Sequence, residues 1–140
     1  LDKVYNESQC WLTYGNYVRY PTGEIGHCTK YPDYVINNGL YRHDSWRASQ
    51  LRTFKYGLWE KINTDDFKDE DGSFYSVAWD FAFMFPMLEM AAERHVFIDK
   101  ILYVYNIETP LSDNKLYVEK QLAVADIIRK KTSYQRIESL

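Results

Sequence analysis

The chain has 140 residues, enough for one ordinary domain or part of one. Its 46% hydrophobic content can fill a core, and 17 Lys and Arg against 20 Asp and Glu leave a net charge of -3, so there is no broad basic field for nucleic acid. The most apolar run, "FAFMFPMLEMAA" at 81–92, is too short to span a bilayer and carries Glu89.

The opening "LDKVYNESQC" has no apolar leader core, which gives the expectation of a cytoplasmic protein, with peripheral attachment to a membrane as a second option. A start on Leu rather than Met suggests a piece of something longer. "QCWLTYGNYVRYPTG" alternates bulky and small residues and predicts one or two strands, closed by the turn Pro21-Thr22-Gly23. Residues 22–44 read as irregular, with Gly26, Pro32, Asn37, Asn38 and Gly39 as breakers. Leu51, Phe54, Leu58 and Ile62 recur at three- and four-residue spacing, which predicts a helix from about Ser45 to Ile62.

The run 65–71 is an acidic loop ending at Gly72. A second helix is expected over Ser73–Met84, with Pro86 breaking it, kinking it or starting a new turn. "HVFID" at 95–99 and "ILYVYNI" at 101–107 are β-branched and aromatic, as expected of a strand pair or one bent strand. Ser112-Asp113-Asn114 would cap a last helix from about Lys115 to Lys131, with Leu116, Ala123 and Ile127 on one side and Val124 and Ile128 beside them. The final "TSYQRIESL" reads as a fraying tail. No alternating βαβ series and no Gly-rich phosphate loop stand out. The pattern is α+β, or a part of an α/β domain.

The aromatic load is unusual: 4 Trp, 13 Tyr and 7 Phe. Such side chains fill cores, and they also offer flat faces to sugars. Cys10 and Cys28 match no zinc or redox spacing, and a reduced pair is the simpler reading. His27, His43 and His95 are scattered and make no metal spacing.

Two acidic features compete for a chemical role. In an EF-hand register with Gly72 at position 6, position 1 is Phe67 and position 12 is Ala78, so the calcium loop fails. "DED" at 69–71 is a literal Asp-x-Asp, but it lacks the apolar strand that delivers such a motif to a nucleotide. The plainer reading is a solvated loop whose charge favours the N-terminus of the helix that follows. Asp80 stands alone among Val77, Ala78, Trp79, Phe81, Ala82 and Phe83. It is either a structural acid bonded to a backbone group or an Arg, or a proton acceptor for a hydroxyl. Glu89, nine residues on, falls on the opposite face of a continuous helix, which does not favour a paired-carboxylate glycosidase.

Four stretches, taken in order, carry a resemblance: "WLTYGNYVRYPTGEIG" at 11–26, "SWRASQLRTFKYGLWEKI" at 45–62, "DFKDEDGSFYSVAWDFAFMFPMLEMA" at 66–91 and "ILYVYNIETPLSDNK" at 101–115. Together they resemble the C-terminal, acceptor-side half of family 2 glycosyltransferases with the GT-A fold, in a bacterial and viral branch. The resemblance implies an α/β nucleotide-diphospho-sugar transferase fold that lacks its N-terminal nucleotide-binding half here. It implies an inverting transfer to an acceptor hydroxyl, with Asp80 as general base. It suggests Trp11, Tyr14, Trp46 and Trp79 as substrate-binding residues, and Arg52 and Lys55 facing either the diphosphate or the acidic loop. Relatives carry His ahead of "LRTF"; this chain has Gln50, which leaves that position without a role. A divalent Mn or Mg is implied for the complete enzyme, with ligands mostly outside this chain. The implied partners are a nucleotide-diphosphate sugar, a carbohydrate or glycoconjugate acceptor, and the missing half in the same or another chain. The alternative class is a non-catalytic carbohydrate-binding or interaction module.

Overall fold

A computed structural model describes residues 1–110 and 117–140. The protein is mixed α/β, with two small sheets and helices around them. The elements are α1 (Asp2–Ser8), β1 (Leu12–Gly15), β2 (Val18–Tyr20), α2 (Asp33–Asn38), β3 (Ser49–Phe54), α3 (Tyr56–Glu60), α4 (Trp79–Ala91), β4 (His95–Ile98), β5 (Val104–Asn106) and α5 (Val118–Lys130). The expected cap at Ser112-Asp113-Asn114 and Leu116 of the expected last helix lie outside the described residues.

β1 is the centre of the larger sheet, in the order β3-β1-β4. It pairs antiparallel with β3 (Leu12 opposite Phe54, Thr13 opposite Thr53) and parallel with β4 (Leu12 opposite His95, Gly15 opposite Ile98). All four of its residues are buried, as a strand with a neighbour on each side should be. The second sheet is β2 parallel to β5. The 95–99 and 101–107 stretches therefore do form strands, but they join different sheets instead of pairing with each other.

α4 is the core element. Every residue from Ala82 to Ala91 is buried, and a helix that is apolar nearly all round belongs inside a protein. Pro86 sits within α4 and does not end it. A proline removes one backbone bond in a helix, and here contacts on every side of the helix outweigh that loss. Met84, Phe85, Met87 and Leu88, which flank the proline, are fully buried.

Several expectations change. The predicted helix at 45–62 is strand β3 followed by the short α3. Its apolar spacing fits a helix, but the free edge of β1 recruits the segment, and Leu51 ends up exposed. The expected helix start at Ser73 moves to Trp79, so Asp80 is the only acid in the first turn of α4 and the acidic loop does not supply that charge. Residues 22–44 contain α2, which Gly39 ends in the left-handed region at φ 62°. Ala123 and Ile127 of α5 are exposed, and Val124 and Ile128 beside them are the buried pair. The tail does not hang free: Ile137 N–H donates to Met90 O at 3.1 Å, and Tyr134 N–H donates to Glu89 Oε2 at 2.9 Å.

Glu89 meets Arg42 in a two-point ion pair, Nε to Oε1 at 2.6 Å and Nη2 to Oε2 at 3.0 Å, with both side chains buried. Arg42 Nη1 also donates to Ile128 O at 2.7 Å, so one guanidinium ties the loop after α2 to α4 and α5.

Candidate functional site

A cleft of about 700 Å³ opens beside the N-terminal turn of α4. One wall is β3, with Ser49, Gln50 and Arg52, and another is Ala78, Trp79, Asp80 and Phe81. The small sheet contributes Tyr17, Arg19, Tyr105 and Ile107, and α5 contributes Gln121, Leu122 and Ala125. The cleft size and its mix of aromatic and polar walls suit a small-molecule ligand.

Asp80 accepts a hydrogen bond at Oδ2 from Arg52 Nη2, 2.8 Å away. Arg52 is itself held twice: its Nε donates to Ala48 O at 2.8 Å, and its guanidinium carbon lies 5.6 Å from the Trp46 ring centroid. Trp46 stacks on Phe81 at 4.2 Å with an interplanar angle of 24°. The carboxylate is thus aimed by a fixed cation that rests on an aromatic pair. Asp80 keeps partial exposure to the cleft, and Trp79 presents over half of its surface.

A second loop completes the wall. Asn16, almost fully buried, donates from Nδ2 to Gly26 O at 2.7 Å. Its Oδ1 accepts from Tyr17 N–H at 3.0 Å and from Cys28 N–H at 3.3 Å. This one amide fastens His27 and Cys28 against the cleft. Burial pushes the Cys28 thiol above its usual range, and hydrogen bonds with Ser49 oppose that rise. Cys28 and Cys10 are both buried and unbridged.

Of the residues singled out in the sequence, Asp80, Trp46, Arg52 and Trp79 come together in the cleft. Trp11, Tyr14 and Lys55 do not. Trp11 is buried under the Arg94 guanidinium, 4.3 Å from its ring centroid. Tyr14 is fully buried among Tyr31, His95 and Phe97, and its Oη accepts from Tyr31 N–H at 3.1 Å. Lys55 lies outside the cleft at the start of α3, where its N–H donates to Trp11 O at 2.7 Å. Trp11 and Tyr14 are therefore core residues, and Lys55 is an exposed residue away from the cleft. Arg52 lines the cleft and pairs with Asp80 of α4. Tyr17, His27, Cys28, Tyr105 and Gln121 line the cleft without any signal in the sequence beyond the general aromatic load, because distant segments deliver them.

The acidic loop has its own structure. Asp71 Oδ1 accepts from Ser73 N–H at 2.9 Å and from the Ser73 hydroxyl, which holds its carboxyl below the usual range. Lys131 Nζ donates to the backbone oxygens of Asp65, Asp66 and Lys68 at 3.1–3.2 Å. Among the described residues, no three His, Cys, Asp or Glu side chains gather as a cation site. Also among the described residues, no helix is long and apolar enough to cross a membrane. No family model, curated protein or solved structure matches the chain.

Proposed function

We propose that this chain is the acceptor-side segment of a glycosyltransferase, and that the cleft holds the acceptor with its nucleophilic hydroxyl at Asp80. The observation that carries the reading is the carboxylate of Asp80, fixed by Arg52 beside Trp46 and Trp79 in one cleft. A ring face stacks on exposed indole, and the hydroxyls bond to the polar wall. The acceptor O–H gives its proton to Asp80 as its oxygen attacks the anomeric carbon of a nucleotide-diphosphate sugar. The C–O bond to the diphosphate breaks, and the nucleoside diphosphate leaves with that electron pair. Attack from the face opposite the leaving group inverts the anomeric centre. In-line positioning supplies much of the rate, and the base adds roughly 10²–10⁴-fold.

The described residues do not make a metal site. No step here runs through a metal, and a Mn or Mg that serves the donor would be held by residues outside this chain, as would the nucleotide. The test is transfer by the full-length enzyme carrying Asp80→Asn, with donor binding measured in parallel. Lost transfer with retained donor binding supports the reading, and normal turnover overturns it. The second reading is a carbohydrate-binding module. It draws on the Arg52 pairing, since a carboxylate engaged by an arginine is well placed to accept a sugar hydroxyl bond without removing its proton. Sugar binding that survives in the absence of any transfer activity of the full-length protein would select it.

A further inference from the structure

No residue of the acidic run 65–71 lines the cleft. Its carboxylates are mostly engaged within the loop. Asp65 Oδ1 accepts from Lys68 Nζ at 2.9 Å, Asp69 Oδ1 accepts from Glu70 N–H at 2.8 Å, and Asp71 Oδ1 accepts from Ser73 N–H at 2.9 Å. What the loop gathers instead is backbone oxygen. A short 3₁₀ turn, Thr64–Phe67, gives way to extended backbone at Lys68, and carbonyls at such an end have acceptor capacity to spare. The oxygens of Asp65, Asp66 and Lys68 converge on one point, 3.1, 3.2 and 3.2 Å from Lys131 Nζ. Asp66 Oδ1 stands 3.8 Å from the same nitrogen, and the Tyr75 ring centroid 5.2 Å. Asp66 is aimed by the Tyr134 hydroxyl, which donates to its Oδ2 and accepts from Asn63 N–H at 2.8 Å.

We infer that residues 65–68 and Tyr75 form a binding site for a monovalent cation of ammonium or potassium size, and that Lys131 is its tethered occupant. Backbone carbonyls replace the hydration shell of a large monovalent ion, and an aromatic face adds its own attraction to a cation. Distance and charge decide the class. Ca²⁺ binds oxygens at about 2.3–2.6 Å and Mg²⁺ at about 2.0–2.1 Å, both closer than the spacing of this cage. One carboxylate is also little charge for a divalent ion, but it matches an ammonium group. The occupant holds the loop to the end of α5, and its tether frees that hold from ions in solution. The Lys131 side chain is 23% exposed, so shortening it lets a free ion reach the cage.

Lys131→Ala removes the occupant and leaves the oxygens. Thermal melting of wild type and this variant in NH₄Cl, KCl, NaCl and CaCl₂ at matched ionic strength tests the inference. In NaCl the variant should melt about 5 °C or more below wild type. NH₄Cl or KCl should restore part of that loss, rising with the logarithm of salt concentration as for a ligand of the folded state alone. Wild type should show no such preference. Lys131→Met, whose side chain fills the space without a charge, should also melt low and recover nothing. Equal effects of the three monovalent salts on Lys131→Ala would show plain screening and overturn the site. Recovery in CaCl₂ alone, equal recovery by Lys131→Met, or an unchanged melting temperature for Lys131→Ala would overturn it too. If Lys131→Ala does not fold in NaCl, the helical circular dichroism regained in NH₄Cl or KCl gives the same reading, and no regain overturns the site.

Discussion

Arg52 Nη2 stands 2.8 Å from Asp80 Oδ2, a contact that ties strand β3 to the first turn of helix α4 across 28 positions of sequence. The pair turns a lone acid in an apolar run into an oriented group at the edge of a cleft. Arg52 is in turn fixed by Ala48 O and the Trp46 ring, so the carboxylate inherits its direction from the segment just ahead of β3.

On the proposed glycosyltransferase reading, Asp80→Asn keeps an oxygen for Arg52 and removes the proton acceptor. Transfer by the full-length enzyme should fall roughly 10²–10⁴-fold while the melting temperature barely moves. Steady-state turnover and thermal melting of the same preparation check the two halves of this expectation.

The Arg42–Glu89 pair is of another kind, with both side chains buried. Removing one partner strands a charge in the core. Glu89→Gln or Arg42→Met is expected to cost about 3–5 kcal/mol in denaturant unfolding. The double variant Arg42→Met, Glu89→Leu should recover part of that loss, since neither charge then remains. Losses that simply add would show that the two residues act independently.

Gly26 has no room for a side chain. A Cβ there would meet Asn16 Oδ1 and approach the Tyr17 ring at 2.7 Å. Asn16 is the amide that fastens the His27–Cys28 wall. Gly26→Ala should destabilise the fold by about 1–3 kcal/mol and expose the Cys28 thiol to alkylation. Thiol-labelling rates of wild type and variant, set beside their melting curves, measure both effects; unchanged labelling would mean that the wall survives the clash.

Stability should also depend on pH through His95. Burial is the main cause that pushes its pKa down to about 4, with Lys30 adding to the shift. The ring packs against Tyr14, Tyr31 and Tyr41, and Nε2 lies 3.0 Å from Tyr41 Oη. The unfolded chain protonates near the ordinary histidine value and the folded one only near 4, so the unfolded state binds more protons in between. Stability is therefore full above about pH 6.5 and falls as the pH drops toward 4, by up to about 3 kcal/mol. His95→Phe should flatten that part of the profile, which urea titrations across the window would reveal.

Local pattern determined the parts that depend on neighbours in the chain. The strands at 12–20 and 95–107, an acidic loop closed by Gly72, a last helix (expected from about Lys115 to Lys131, described over Val118–Lys130) and the isolation of Asp80 were all legible from residue type and spacing. The opposite-face placement of Asp80 and Glu89 was open in the sequence, because Pro86 lies between them, and follows once α4 is found continuous from Trp79 to Ala91. The rest needed tertiary contacts. Residues 49–54 have helical spacing but become a strand, because β1 has an unfilled edge and hydrogen bonding across it outweighs a weak local preference. Pro86 stays inside α4 because burial on all sides holds the helix together around it. Trp11 and Tyr14 look like sugar platforms in the sequence, yet they fall in the core, since aromatic type alone does not say which side of a strand meets water. The surroundings of Asp80 show the same division. Its sequence neighbours mark it as unusual, and only the fold brings Arg52, Trp46 and α5 around it to make a site.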